Sequence, residues 1–267
     1  MAARYWVGGT GTWNASDTTH WASASNGAGG QSVPTSADDV TFDANSGGGT
    51  VTVNGNHTVK SFSCGDHTGT LDWDANDNDF TVFGGNVQLS DFGGAIRTIK
   101  LGSGTFRFQS ISHFQGTGLT WTPGTALVKL TGPKIEASSL NAALLGSFLY
   151  PNFEIGPDTG ISLHTFSQNP TFTDLKLTGV CKLRGPSITV TATNLTCSVS
   201  EKGKGTDWRG EGGTCPIALT NPGVLHWASL QKVNCTSAGI RAYNSLDLGG
   251  NTNVQISPHK RGRVIGG

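Results

Sequence analysis

The sequence predicts an all-β protein, a parallel β-helix or β-solenoid with an aromatic N-terminal cap module. Three observations lead there. Apolar and polar residues alternate along most of the chain, which is the period of a half-buried strand. The alternating runs are short, bounded by Gly, Asn or Asp, and spaced by roughly ten residues. Similar phrases recur, each a turn followed by a short strand: Asn54-Gly-Asn-His-Thr-Val-Lys-Ser-Phe-Ser63, Gly84-Gly-Asn-Val-Gln-Leu-Ser90 and Thr171-Phe-Thr-Asp-Leu-Lys-Leu-Thr-Gly179. The ten-residue cadence by itself suits a sandwich or barrel equally well. Turns that are rarely of the hairpin-closing Asn-Gly type, together with the recurring phrases, favour coils of about 20–25 residues holding two or three strands.

Taken in order, residues 1–44 read as a cap or docking module, 45–200 as solenoid coils, and 201–267 as terminal coils with a basic tail. The first segment concentrates aromatics, Gly and Ser, with little alternation before Val40-Thr-Phe42. Thr50-Val-Thr-Val53 then puts both valines on one face, and Leu71 pairs with Trp73. Phe80, Val82, Val87 and Leu89 form two short strands around Gly84-Gly85. Further strands are expected at Ala95–Leu101, Gly104–Ser110, Leu119–Thr122 and Ala126–Leu130. Later ones fall at Ile161–Phe166, Phe172–Thr178, Ser187–Ala192, Asn194–Val199, Pro216–Thr220 and Val224–Val233. Ser138–Leu149 breaks the rule: Leu140, Leu144, Leu145 and Phe148 stand at helical spacing, so a short helix or insertion is expected. The inward set comprises Val51, Val53, Leu71, Trp73, Val82, Val87, Leu89, Leu175 and Leu177, with wet outward neighbours.

The chain has 267 residues, formal net charge +0 and only 13% charged residues. Without a basic stripe it is not expected to bind nucleic acid. The one basic run is His259, Lys260, Arg261 and Arg263, read as a solvated tail or, alternatively, a docking peptide for an acidic partner. There is no run of 18 apolar residues and no apolar signal core at the N-terminus, so neither a membrane span nor a standard secretion route is expected. The five cysteines, Cys64, Cys181, Cys197, Cys215 and Cys235, form no C-x-x-C pair and alternate with apolar residues. They read as reduced, buried small hydrophobes.

These residues offer several candidate chemistries. Asp72-Trp-Asp-Ala-Asn76 starts like a calcium loop, but Asp77 stands where Gly is needed and Phe83 where Glu is needed. A solvated turn with Asx hydrogen bonds is the expectation there. Paired carboxylates for glycan cleavage could come from Asp38 with Asp39, Asp72 with Asp74, Asp77 with Asp79, or Asp207 with Glu211. Alternation turns Asp72 and Asp74 outward into water, so no catalytic residue is assigned. Neither a cofactor nor a metal is expected, since the seven histidines are scattered and no phosphate loop appears. Tyr5, Trp6, Trp13 and Trp21 are candidate interaction residues. They are read as a plug on the open solenoid end, or alternatively as a sugar-stacking platform. Gly203–Gly213 is expected to be a long exposed loop whose Trp208 and Arg209 form a contact surface.

Two stretches carry a family resemblance. The first is Arg4-Tyr-Trp-Val-Gly-Gly-Thr-Gly-Thr-Trp13, then Asp17-Thr-Thr-His-Trp21, then Ser32-Val-Pro-Thr-Ser-Ala-Asp-Asp-Val-Thr-Phe-Asp43. It resembles an opening module of phage virion proteins and some bacterial surface proteins. The second, Gly223–Asn234 through Asn244–Ile256, resembles the final β-helical coils of the same group. The resemblance implies a non-enzymatic tailed-phage virion component, a fibre, spike or decoration protein on head or tail. The partners expected for that role are other virion proteins, a host surface glycan and, since solenoids packed side by side bury their lateral faces, further copies in a homotrimer. A glycan-binding or glycan-cleaving tailspike and a bacterial adhesin fragment are the alternatives.

Overall fold

The computed structural model describes residues 2–84, 87–89, 96–109, 111–113, 118–132, 149–156, 161–165, 171–178, 180–184, 189–197, 206–209 and 213–257. Within them the regular secondary structure is nearly all β-strand; the only helix is a 3-10 turn at Ala44–Ser46. Among the described residues the strands fall into four sheets, and every strand pair but one is parallel. The exception is Ala3–Trp6 against Trp21–Ala22.

The parallel order follows from how the chain turns. Asp39–Thr41, Thr50–Val53 and His57–Val59 lie in three different sheets, and the next three strands revisit those sheets in the same order. Thus Asp39–Thr41 pairs with Ser61–Ser63, Thr50–Val53 with Thr70–Asp72, and His57–Val59 with Phe80–Val82. The register stacks like on like. Val59, Val82, Phe108, Leu130, Ile155, Leu177 and Cys197 form one inward row, and Phe80, Phe106, Val128, Phe153, Leu175 and Leu195 another. All of these residues are buried. Each contributes about 1.5–3 kcal/mol, and a slip of one residue would turn a whole row into water.

The inward set expected from alternation is buried throughout. Its outward neighbours are drier than expected: Thr52, Asp72, Thr81 and Gln88 are only half exposed, while Thr50 and Lys176 are exposed. The cause is the ladder itself, because each outward side chain lies against the one directly above and below it.

Three corrections concern strands. Ala3–Trp6 and Gly11–Trp13 are strands despite weak alternation, and they pair parallel with Asp39–Thr41 and Thr50–Val53. Ser187–Ala192 and Asn194–Val199 do not exist separately; one strand, Val190–Cys197, runs through, bending where Thr193 and Asn194 both face outward. The same two-residue bend occurs at Pro151-Asn152 and Thr173-Asp174. A polar ladder spans the bends: Asn194 Nδ2 donates to Asp174 Oδ1 at 2.6 Å, and Asn221 Nδ2 to Asn194 Oδ1 at 2.8 Å. Conversely, Val224–Val233 splits into Gly223–His226, Ser229–Gln231 and the start of Val233–Cys235. Trp227 (φ 55°) and Lys232 (φ 53°) adopt left-handed backbone conformations that end the strands. The expected helix at 138–149 lies outside the described residues except for Leu149, which opens the strand Leu149–Ile155.

Candidate functional site

The N-terminal aromatics converge on Phe42. Pairing of Tyr5 with Ala22 and Trp6 with Trp21 folds residues 3–22 into an antiparallel clasp. Trp6, Trp13 and Trp21 lie with ring centroids 5.7, 6.0 and 6.0 Å from Phe42. Trp21 meets Trp6 and Trp13 edge to face at 5.2 and 5.1 Å, the arrangement aromatic quadrupoles favour. His20 stacks on Trp6 at 4.6 Å and His57 on Trp13 at 4.6 Å. Gly11 makes this approach feasible: a Cβ there would sit 2.5 Å from His20 Nε2. Burial holds the His57 imidazole below its ordinary pKa, so the ring packs in its neutral form.

Asp38 ties the clasp to the first sheet. Its Oδ1 accepts from Ala2 N at 3.0 Å, and its Oδ2 from Thr35 N and Oγ1 at 3.0 and 2.8 Å. Burial raises its pKa, but the Thr35 and Ala2 hydrogen bonds and the Arg4 charge outweigh it, so the carboxyl titrates below its usual range.

All three tryptophans are therefore buried inside this chain, at 1% exposure or less. They cannot also be a sugar platform; only Tyr5, which is half exposed, keeps an outward face. Trp208 requires a correction as well. It is fully buried in the strand Asp207–Arg209, between the partner strands Val180–Arg184 and Ser229–Gln231, and its Nε1 donates to Cys215 Sγ at 3.0 Å. Strand parity explains this: Trp208 faces in while Asp207 and Arg209 face out, joined by an Arg209 Nε–Asp207 Oδ1 contact of 2.7 Å. Glu211 and the remaining charged residues of that segment lie outside the described residues.

No protein-family model matches this chain, and no curated protein or solved structure is significantly similar to it.

The candidate carboxylates for catalysis or calcium act mainly between neighbouring strands and turns. Asp77 Oδ1 accepts from Ser103 N and Asp79 Oδ1 from Thr105 N, each at 2.7 Å. Asn76 and Asn78 side chains both donate to Val53 O. Asp72 accepts from Ala75 N in a local Asx turn and pairs with Lys100 at 3.2 Å. Asp39 accepts from Lys60 and Ser61. Among the described residues no three His, Cys, Asp or Glu side chains cluster as metal ligands would.

Sequence reasoning passed over two features. On the outer face Glu154 lies between Lys129 and Lys176, its register partners on the two adjoining strands. Inside, Arg97 and His67 are buried at 1% and 0% exposure. Parity could have revealed Arg97, which shares the inward face of its strand with Ile99.

Proposed function

We propose that the chain is a parallel β-solenoid serving as a non-enzymatic structural component of a tailed-phage virion, a fibre, spike or decoration protein. The observation that carries this reading is the unbroken inward row from Val59 to Cys197, in which each coil repeats the last. Such stacking makes a stiff rod with no moving part. The commitment of Asp39, Asp72, Asp77 and Asp79 to structural hydrogen bonds and ion pairs supports a non-catalytic role. In this reading three copies pack side by side through their lateral faces, next to other virion proteins.

The test is immuno-gold labelling of purified particles with an antibody to this chain. Label at a fixed place on head or tail is expected; purified particles that carry no label would remove the reading. A second reading, glycan attachment, is favoured by one outward feature. His226 stacks on the exposed Tyr243 at 5.3 Å and 26°, beside the half-exposed Trp227. Host polysaccharide that quenches tryptophan fluorescence in the wild type but not in Tyr243→Ala would place binding there.

A further inference from the structure

The corner between the strands Ser61–Ser63 and Thr70–Asp72 contains a buried positive charge that has no counterion among the described residues. Arg97 opens the strand Arg97–Lys100, one coil further along, where Thr98 N donates to Gly69 O at 3.0 Å. Its side chain reaches back into the corner, and Nη1 donates to Gly65 O at 2.6 Å. The other edge of the guanidinium, Nε with Nη2, is buried and makes no hydrogen bond. That edge is the planar two-donor fork that normally grips an anion.

His67 lies in the same corner. Its ring is fully buried, and neither Nδ1 nor Nε2 has a partner. A Cβ on Gly69 would fall 2.7 Å from Nε2, so the ring is held against the backbone there. Phe42 closes its other side at 5.5 Å. The Arg97 charge reaches both His67 and Cys64. Asp43 is the acidic residue whose charge reaches His67, but its Oδ1 is occupied by Asn45 N and Ser46 Oγ. Among the described residues no carboxylate pairs with Arg97.

Each orphaned buried donor is costly, and an uncompensated buried guanidinium more so. Water would satisfy the N–H groups and leave the charge unbalanced. We propose that the Nε/Nη2 fork of Arg97, with a ring N–H of His67, binds a small monovalent inorganic anion of chloride size at this corner. The anion neutralises Arg97, receives the orphaned donors and locks two adjacent coils together.

The experiment uses the full chain, refolded and dialysed into sodium gluconate, an anion too bulky for an enclosed corner. Chloride or bromide is then exchanged for gluconate at constant ionic strength. A saturable rise in melting temperature of about 2–4 °C or more is expected. Arg97→Met should abolish the response. Asp91→Asn, altering the acidic residue nearest Arg97 in sequence, should leave it intact. A crystal grown in bromide should show an anomalous peak beside Arg97, a readout that survives even if Arg97→Met does not fold. Equal melting temperatures in gluconate and chloride, with no bromide peak, would overturn the proposal. So would a response that appears only in Asp91→Asn and not in the wild type, since the fork would then belong to the chain's own carboxylate.

Discussion

Lys129 Nζ lies 2.8 Å from Glu154 Oε1, one strand over in the same ladder, while Lys176 approaches Oε2 at 3.7 Å from the other side. Thr178 Oγ1 also donates to Oε1, at 3.1 Å. Burial works against ionisation of Glu154, but the Lys129 hydrogen bond and charge, then Thr178 and Lys176, outweigh it. The carboxyl therefore titrates below its ordinary range. Its stabilisation is present above the unfolded-state pKa and is lost as pH falls through the lower folded value. Glu154→Gln should cost about 1 kcal/mol at pH 7, partly because it leaves the two flanking lysines without their shared countercharge, and much less at pH 3. Urea midpoints at the two pH values check this; an equal loss at both would make the effect one of packing.

His67 should make the protein acid-sensitive earlier than its carboxylates do. Burial, then the neighbouring Arg97 charge, lowers its pKa to about 4, against the opposing pull of Asp43. Between roughly pH 6.5 and 4 the unfolded chain takes up a proton that the folded chain refuses, so stability declines as pH falls through that window. His57, lowered by burial, adds in the same direction. His67→Gln should flatten this part of the curve of unfolding free energy against pH. A slope unchanged by the substitution would show that the ring is not buried neutral.

The thiols should be silent in the native state. Cys64, Cys197, Cys215 and Cys235 are free and buried, and burial pushes Cys64 up to about 12 and Cys215 to about 11. Since the thiolate is the reactive form, iodoacetamide should label these four only after denaturation, as read by peptide mass spectrometry. Reducing agent should leave the melting temperature unchanged. A large drop on reduction would reveal a disulfide.

The aromatic clasp is expected to be a stability element first. Trp13→Ala removes the ring that Trp21, Phe42, His57 and Phe80 pack against, at a cost of about 3–5 kcal/mol. Deleting residues 1–30 removes Trp6, Trp13 and Trp21 together and uncovers Phe42 and the edge of Asp39–Thr41. The truncated chain should keep most of its β circular dichroism yet aggregate in sedimentation velocity. If it stays soluble and unchanged in oligomeric state, the clasp is not a cap.

Much of the interior was legible because strand burial is a local, period-2 property. Val51, Val53, Leu71, Trp73, Val82, Leu175 and Leu177 fall inside by parity, with no knowledge of their partners. The same parity applied to Asp207-Trp-Arg209 would have buried Trp208, but the Gly and charge around that strand make it resemble a loop. Left-handed turns at Trp227 and Lys232 left no trace, because neither is a residue type that announces φ > 0.

By itself, then, the sequence determined which side of each strand is apolar, that turns are frequent, and that the cysteines belong with the core. Only the tertiary structure decided which residues are neighbours. That Lys129 meets Glu154, that Asp77 reaches Ser103 N, and that Arg97 Nη1 reaches Gly65 O all depend on register between strands roughly 20–30 residues apart. Alternation repeats every two residues and carries no count of the spacing between paired strands. The spacing is set where loop lengths, corner hydrogen bonds and core volume are satisfied together.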